Sequence, residues 1–231
     1  MSEINKLQKE ILHYEMHGKI NIAIEKLNEL LTQEPENHEF RVKLGELYYI
    51  SGKIDESIKE LEQVVTAKPE FTFAMYSLGV SYFRATEFTK AIDIFSRVVE
   101  IEPELFMAHY WLGLSYYHTG AIDKSVEAYK LLREKGPDKE LGLYNMSVAY
   151  NASGNYEKAI ECLKEIEAVN PNLSSVHYHL GRAYMGLNEN EKAVREFKKV
   201  IALNPSHHDA ERRLKEITDN DQQFSYEVPI L

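Results

Sequence analysis

Residues 78–103 read LGVSYFRATEFTKAIDIFSRVVEIEP, and this stretch decides the fold. Apolar residues recur at three- and four-residue spacing in both halves, which indicates two amphipathic helices. Thr86 lies between the halves, and Pro103 ends the second helix because proline has no amide hydrogen to donate. The stretch therefore predicts a helix-turn-helix unit.

The same pattern returns along the chain with a fixed period of 34 residues. Six of the seven prolines mark it, namely Pro35, Pro69, Pro103, Pro137, Pro171 and Pro205. A constant period of this length predicts an array of structural repeats. With each proline at position 32 of its repeat, the repeats are 4–37, 38–71, 72–105, 106–139, 140–173 and 174–207.

Within a repeat, certain positions keep their size. Position 8 is usually glycine and position 20 is alanine or serine, which predicts a close crossing of the two helices. Position 24 is a large residue in every repeat. Position 15, in the turn, is glycine in four repeats but Thr86 and Asn188 in the other two.

These residues resemble the tetratricopeptide repeat (TPR) family, whose repeats carry Leu-Gly, a tyrosine, an alanine, an aromatic residue and a proline. The stretches SLGVSYF (77–83), KAIDIFSRVVEIEP (90–103), WLGLSYYHTGAIDKSVEAY (111–129) and HLGRAYMGLNENEKAVREFKKVIALNP (179–205) carry the resemblance. It covers residues 4–207. It implies an all-α solenoid of six helix-turn-helix repeats with a right-handed superhelix. Position 4, often tryptophan in the family, departs from the pattern in every repeat, and Ile11 replaces glycine at position 8 of the first.

Residues 208–219, HDAERRLKEITD, read as one further amphipathic helix that would cover the apolar end of the array. We therefore expect an array over 1–219 with this capping helix at 208–219. Residues 220–231, which end in FSYEVPIL, are expected to form a mobile tail.

Composition narrows the class of protein. The formal net charge is −10, from 27 basic and 37 acidic residues, which argues against nucleic-acid partners and anionic membrane surfaces. No apolar run is long enough to cross a membrane, and the N-terminus shows no signal-peptide core. A single cysteine, Cys162, cannot form an intramolecular disulfide. We expect a cytoplasmic protein.

In TPR-like arrays, one stripe of each first helix lines a concave groove, and the resemblance implies that positions 2, 5, 9, 12 and 13 form it here. Only five of these thirty positions are charged: Glu15, Glu39, Glu46, Arg84 and Arg182. Eight are aromatic, including Tyr49. A surface poor in charge and rich in tyrosine, phenylalanine and methionine has the composition of an interface.

The predicted partner-binding groove comprises Phe73, Tyr76, Val80, Phe83, Met107, Tyr110, Leu114, Tyr117, Tyr144 and Tyr178. Four of its tyrosines recur at position 5 as a ladder. The leading interpretation is a non-enzymatic adaptor that binds a protein or peptide there. In a second interpretation the tyrosines are only part of a generic scaffold face. A third is a self-assembling protein whose groove captures the tail of another copy. A small-molecule sensor would need a polar pocket that the sequence does not indicate.

The sequence offers no catalytic, cofactor-binding or metal-binding constellation. His13 and His17 are spaced as two ligands on a helix but lack an evident third ligand, and Glu15 is misplaced for a zincin. Cys162 reads as a partly buried thiol. The set of lysine, arginine and asparagine residues with which some TPR domains clamp a C-terminal carboxylate is absent.

One irregularity lies at the end of the fourth repeat. Arg133 and Lys135 replace apolar residues, and Gly136 precedes Pro137. This pattern predicts a weakly packed junction at 133–137 that could flex, or else a plain capped helix.

Overall fold

The computed structural model of the protein describes residues 3–226, with side chains described for residues 6–219. The described part contains thirteen helices and no strands. They are α1 (Glu3–Met16), α2 (Ile20–Gln33), α3 (His38–Ile50), α4 (Ile54–Ala67), α5 (Thr72–Arg84), α6 (Phe88–Ile101), α7 (Phe106–His118), α8 (Ile122–Lys135), α9 (Lys139–Ala152), α10 (Tyr156–Val169), α11 (Ser174–Gly186), α12 (Asn190–Leu203) and α13 (His208–Tyr226). Each predicted repeat holds two helices, so the all-α array of helical repeats is confirmed.

The turn inside each repeat needs a left-handed backbone at position 15. Gly52 has a φ of 80°, and Thr86 and Asn188 adopt 62° and 59° at the same position. Glycine reaches this region without steric cost, whereas a β-branched threonine does not. The geometry of the turn is therefore kept even where the sequence does not favour it.

Position 8 is small because the side chain at position 24 points directly at it. A Cβ atom added to Gly79 would lie 2.7 Å from Cζ of Phe95, and one added to Gly181 would lie 2.7 Å from Cε1 of Phe197. Both phenylalanines are completely buried. Position 20 contributes to the same crossing, since Ala91 and its counterparts are also fully buried.

Successive repeats are joined by basic side chains that donate to the carbonyl of the preceding repeat-ending proline. Arg41 donates to Pro35 at 2.9 Å, and Arg97 reaches Pro69 at 3.0 Å from the second helix of its repeat. Ring nitrogens of His109 and His177 lie 3.0 Å and 2.8 Å from the carbonyls of Pro103 and Pro171. Each of these carbonyls belongs to a residue just beyond the end of the preceding helix, so the bonds connect one repeat to the loop that ends the previous one. In three repeats, position 4 therefore holds an arginine or histidine that forms this hydrogen bond, where the family often has tryptophan.

Helix packing divides the chain into two compact units, one ending at Thr119 and the other beginning at Gly120. The division falls in the turn after α7, not at the junction 133–137 where the sequence predicted weak packing. The two helices at that junction are tightly packed, because a Cβ added to Gly142 of α9 would lie 2.6 Å from the backbone nitrogen of Arg133 in α8. Arg133 also pairs with Glu165 at 3.1 Å.

The last helix differs from the expectation in length. It starts at His208 as predicted but continues past Asp219 to Tyr226. Ala210 and Ile217 are buried and pack with Phe197 and Val200 of the last repeat. The remaining tail residues, 227–231, lie outside the described residues, and the mobility of the tail stays a prediction.

Candidate functional site

All ten predicted groove residues lie on the first helices of their repeats, namely α5, α7, α9 and α11. None of them is fully buried. Phe73 and Met107 are the most open, with 52% and 43% of their surface exposed, and the others are partly buried. Eight belong to the first unit, and we call them the aromatic surface: Phe73, Tyr76, Val80, Phe83, Met107, Tyr110, Leu114 and Tyr117. Because α5 contacts α7, these eight residues come from adjacent helices.

Trp111, at position 6 of its repeat, connects two rungs of the tyrosine ladder. Its indole N–H donates to the hydroxyl of Tyr76 at 2.9 Å. Its ring also meets Tyr110 edge-on, with centroids 5.4 Å apart. On the inner side it lies parallel to Phe95, at 6.4 Å. Trp111 was not among the predicted groove residues, and the structure places it at the centre of the aromatic surface.

Phe83, near the end of α5, contacts three other rings. Its ring lies 5.1 Å from Trp111, 5.2 Å from Phe88 and 5.5 Å from His118. His118 stacks on Phe88 at 4.6 Å and meets Tyr117 edge-on at 5.6 Å. Such ring pairs contribute about 0.5–1.5 kcal/mol each beyond the area they bury. The aromatic surface therefore rests on a packed layer of rings, which limits the motion of its side chains.

The second unit repeats the arrangement with a histidine. His179, also at position 6, meets Tyr144 edge-on at 5.4 Å and Tyr178 at 5.5 Å. Burial away from water lowers the pKa of His179 to about 4, and the charge of Arg182 contributes to the same shift. Its Nδ1 atom is buried without a hydrogen-bond partner among the described residues. The imidazole is therefore neutral at physiological pH and serves as a flat spacer between two rungs.

Two profiles for the tetratricopeptide repeat match the chain, one over residues 16–78 and the other over 51–106 and 76–140. Together they span more than half of the chain. The protein belongs to the tetratricopeptide repeat family. A further profile, "Regulator of microtubule dynamics protein 1-3", matches residues 143–225 of this TPR protein. A search of curated proteins gave no match.

Solved structures give the same fold at low sequence identity. The C-terminal part of a TPR repeat-containing protein from Cytophaga hutchinsonii superimposes with a TM-score of 0.75 at 16% identity, over 92% of this chain and 85% of the solved one. YrrB, described as a TPR protein with an unusual peptide-binding site, has a TM-score of 0.69 at 15% identity, over 82% and 97%. MamA from Desulfovibrio magneticus RS-1 has a TM-score of 0.69 at 19% identity, over 74% and 97%.

A group of three potential metal ligands lies in the second unit of the TPR array: Glu167, His177 and Glu196. The sequence did not reveal it because the three residues come from different helices. The two ring nitrogens of His177 already face acceptors, the Glu196 carboxylate at 2.7 Å and the Pro171 carbonyl. Lys199 donates to both carboxylates, at 3.2 Å and 3.1 Å.

The equivalent pair in the second repeat shows what this group does. Arg41 and Glu60 occupy the same repeat positions as His177 and Glu196 and form an ion pair at 2.7 Å. Arginine cannot ligate a metal, so the shared role of the two pairs is to link helices and hold the preceding proline carbonyl. We therefore interpret the histidine cluster as structural.

Three other features that the sequence raised do not form a functional site among the described residues. Cys162 is 7% exposed, and burial raises the pKa of its thiol, which is the opposite of what a nucleophile needs. His13 and His17 are exposed, and the Nδ1 of His17 lies 2.7 Å from the backbone carbonyl of His13. Among the residues that the structure describes, no helix is long and apolar enough to cross a membrane.

Proposed function

We propose that this TPR protein is a non-enzymatic scaffold that binds a segment of a partner protein on its aromatic surface. The observation that carries the proposal is an exposed pair, Phe73 and Met107, beside half-buried tyrosines held in place by Trp111. Large apolar side chains exposed on a rigid base are typical of binding surfaces, because little side-chain entropy is lost on binding. YrrB, described as a TPR protein with an unusual peptide-binding site, is an example of the same fold with a site for a peptide.

Within each unit, the two tyrosines at position 5 favour an extended or helical peptide over a small molecule. Tyrosines at position 5 of successive repeats each offer an aromatic face and a hydroxyl. Phe83 lies 5.1 Å from Trp111 and 5.5 Å from His118, so closely packed rings adjoin the two tyrosines of the first unit. An adaptor role and a location in the cytoplasm belong to the same proposal.

A peptide selection on the full chain tests the proposal. Random peptides displayed on phage are selected against the protein, and their affinities for variants are then measured by fluorescence anisotropy. Phe73→Ser and Met107→Ser each remove an exposed apolar side chain, and hot-spot residues are worth about 2 kcal/mol or more, roughly 30-fold in affinity. Ile101→Ser is the matched control, because Ile101 is similarly exposed, at 45%, but lies on the second helix of the repeat that contains Phe73.

We expect both surface variants to lose peptide affinity and the control to retain it, with all three melting like the wild type. Equal affinity of all four proteins would mean that the binding site lies elsewhere.

The profile match over residues 143–225 favours a second candidate function. The family concerned is named for regulators of microtubule dynamics, and the second unit of this chain could serve in such a role. Co-sedimentation of the protein with polymerised tubulin tests this candidate, and its absence from the pellet at several salt concentrations would count against it.

A further inference from the structure

A cavity of about 290 Å³ lies beside the aromatic surface, among α1, α3, α4 and α5. Tyr76 and Val80 line it and also belong to the aromatic surface, so a segment bound there reaches the cavity without a break. The floor is closed by Leu61 and by two serines, all almost fully buried.

The two serine hydroxyls of the floor have no proton left to donate to a ligand. Ser81 donates to the carbonyl of Ser77 at 2.9 Å. Since that uses its one proton, the 3.0 Å contact between the two hydroxyls has Ser57 as donor and Ser81 as acceptor. Both protons are therefore committed. The groups that can select a ligand are the charged and aromatic residues on the walls.

The walls carry an uncompensated negative charge. Lys43 pairs with Oε1 of Glu15 at 2.7 Å, which neutralises one carboxylate. The other oxygen of Glu15 is buried and lacks a hydrogen-bond partner among the described side chains. Glu46, on the same wall, is partly buried and forms no ion pair with any described residue. Two carboxylates thus face one ammonium group.

The aromatic walls favour a flat cation. Tyr49 and Tyr76 both line the cavity, and tyrosine faces attract cations through their ring quadrupole. A half-buried carboxylate without a partner loses part of its hydration, and a bound cation restores that loss. Arginine combines an apolar stem for Leu61 with a planar head that can pair with a carboxylate and stack on tyrosine.

We propose that this cavity binds an arginine side chain of the partner segment, with its guanidinium group paired with Glu46. The inference rests on the proposed function, since it assigns one side chain of the segment that the aromatic surface would bind. The net charge of −10 favours encounter with a basic segment.

Peptides selected on the full chain by phage display provide the probe. We expect arginine at one fixed place in the selected sequences. For such a peptide, Glu46→Gln should weaken binding at least tenfold. The matched control Glu56→Gln removes the same charge from an exposed site on the second helix of the same repeat, outside both the cavity and the predicted groove, and should leave affinity within twofold. Replacing the arginine of the peptide by citrulline, its neutral analogue, should reduce the affinity of the wild type as much as Glu46→Gln does. For the citrulline peptide, Glu46→Gln should then cause no further loss of affinity.

The outcomes separate this inference from the proposed function. Peptides that depend on Phe73 and Met107 but show no arginine preference, or bind Glu46→Gln as well as wild type, would overturn the arginine site and leave the binding surface standing. Equal losses in Glu46→Gln and Glu56→Gln would reduce the effect to general charge attraction and also overturn it. If no peptide depends on the aromatic surface, both proposals fail.

A direct titration needs no selected peptide. N-acetyl-argininamide and its citrulline counterpart can be added to the labelled protein and followed by NMR. We expect the arginine compound alone to shift the ring signals of Tyr49 and Tyr76, and Glu46→Gln to abolish the shift. Equal shifts from both compounds would overturn the proposal.

Discussion

Serine at position 8 should be tolerated opposite leucine and penalised opposite phenylalanine. In the third repeat, a Cβ on Gly79 would lie 2.7–2.9 Å from three atoms of the Phe95 ring. That ring is completely buried, meets Tyr76 edge-on and lies parallel to Trp111, so it has no free direction of movement. In the second repeat, a Cβ on Gly45 would lie 2.7 Å from Cγ of Leu61, which borders the cavity described above and therefore has room to move aside.

The fifth repeat already contains the tolerated combination, Ser147 opposite Leu163, both fully buried. Overpacking costs about 1–3 kcal/mol, while replacing glycine by serine within a helix recovers about 0.5 kcal/mol. We therefore expect Gly79→Ser to lower the free energy of unfolding by about 2 kcal/mol, and Gly45→Ser by less than about 0.5 kcal/mol. The larger loss corresponds to about 4–8 °C in melting temperature for a chain of this size.

Urea unfolding followed by circular dichroism measures both losses, and hydrogen exchange locates them, since a repeat is stabilised chiefly by its neighbours. Adding Phe95→Leu to Gly79→Ser reproduces the pair of the fifth repeat and should recover much of the stability lost. If Gly45→Ser costs as much as Gly79→Ser, the stiffness of the opposing ring does not set the size limit at position 8.

Two further predictions concern the second unit. Because the folded-state pKa of His179 is about 4 against 6.5 in the unfolded chain, the unfolded state binds more protons between these values, and stability falls as pH drops through this window. His179→Phe keeps a flat ring between Tyr144 and Tyr178 and should remove this part of the pH dependence, which amounts to at most roughly 3 kcal/mol. If the urea midpoint of the variant falls between pH 7 and pH 4 as much as that of the wild type, the prediction is wrong. Gly142→Ala should destabilise the chain by about 2 kcal/mol, because the new Cβ meets the backbone of Arg133 rather than a side chain; a midpoint equal to wild type would show that the junction of α8 and α9 yields.

The repeat array could be predicted because its signals are local and periodic. A proline every 34 residues sets the length of the repeat, and the small residue at position 8 follows from the crossing of two adjacent helices. The turns at Thr86 and Asn188 were placed correctly because position 15 is set by the period and not by residue type. The end of the last helix was misjudged, since the polar residues after Asp219 carry no stop signal such as proline or glycine.

The sequence left the junction 133–137 open between a weakly packed joint and a plain capped helix, and Gly136 is the C-cap of α8 in a closely packed junction. Two charged residues at the end of α8 suggested lost apolar burial, and Lys135 is indeed exposed. The compensating residue, Gly142, lies in the following repeat and so escapes a pattern read within one repeat. A glycine there lets α9 approach the backbone of α8, so contact between backbones replaces contact between side chains. Leucine at position 135 would consequently gain little burial.

The centre of the aromatic surface could not be predicted from helical geometry alone. Position 6 lies only about 20° beyond the edge of the stripe formed by positions 2, 5, 9, 12 and 13, at 100° per residue. A stripe describes where Cα atoms face, but an indole extends much farther than such a rotation displaces it. Trp111 therefore reaches back to the hydroxyl of Tyr76 in the preceding repeat, and His179 takes the same place between Tyr144 and Tyr178. The rungs of the ladder are consequently coupled in pairs, one pair in each unit. A partner that contacts one tyrosine of a pair also acts on the ring between them, so changes at position 6 should affect binding at both rungs.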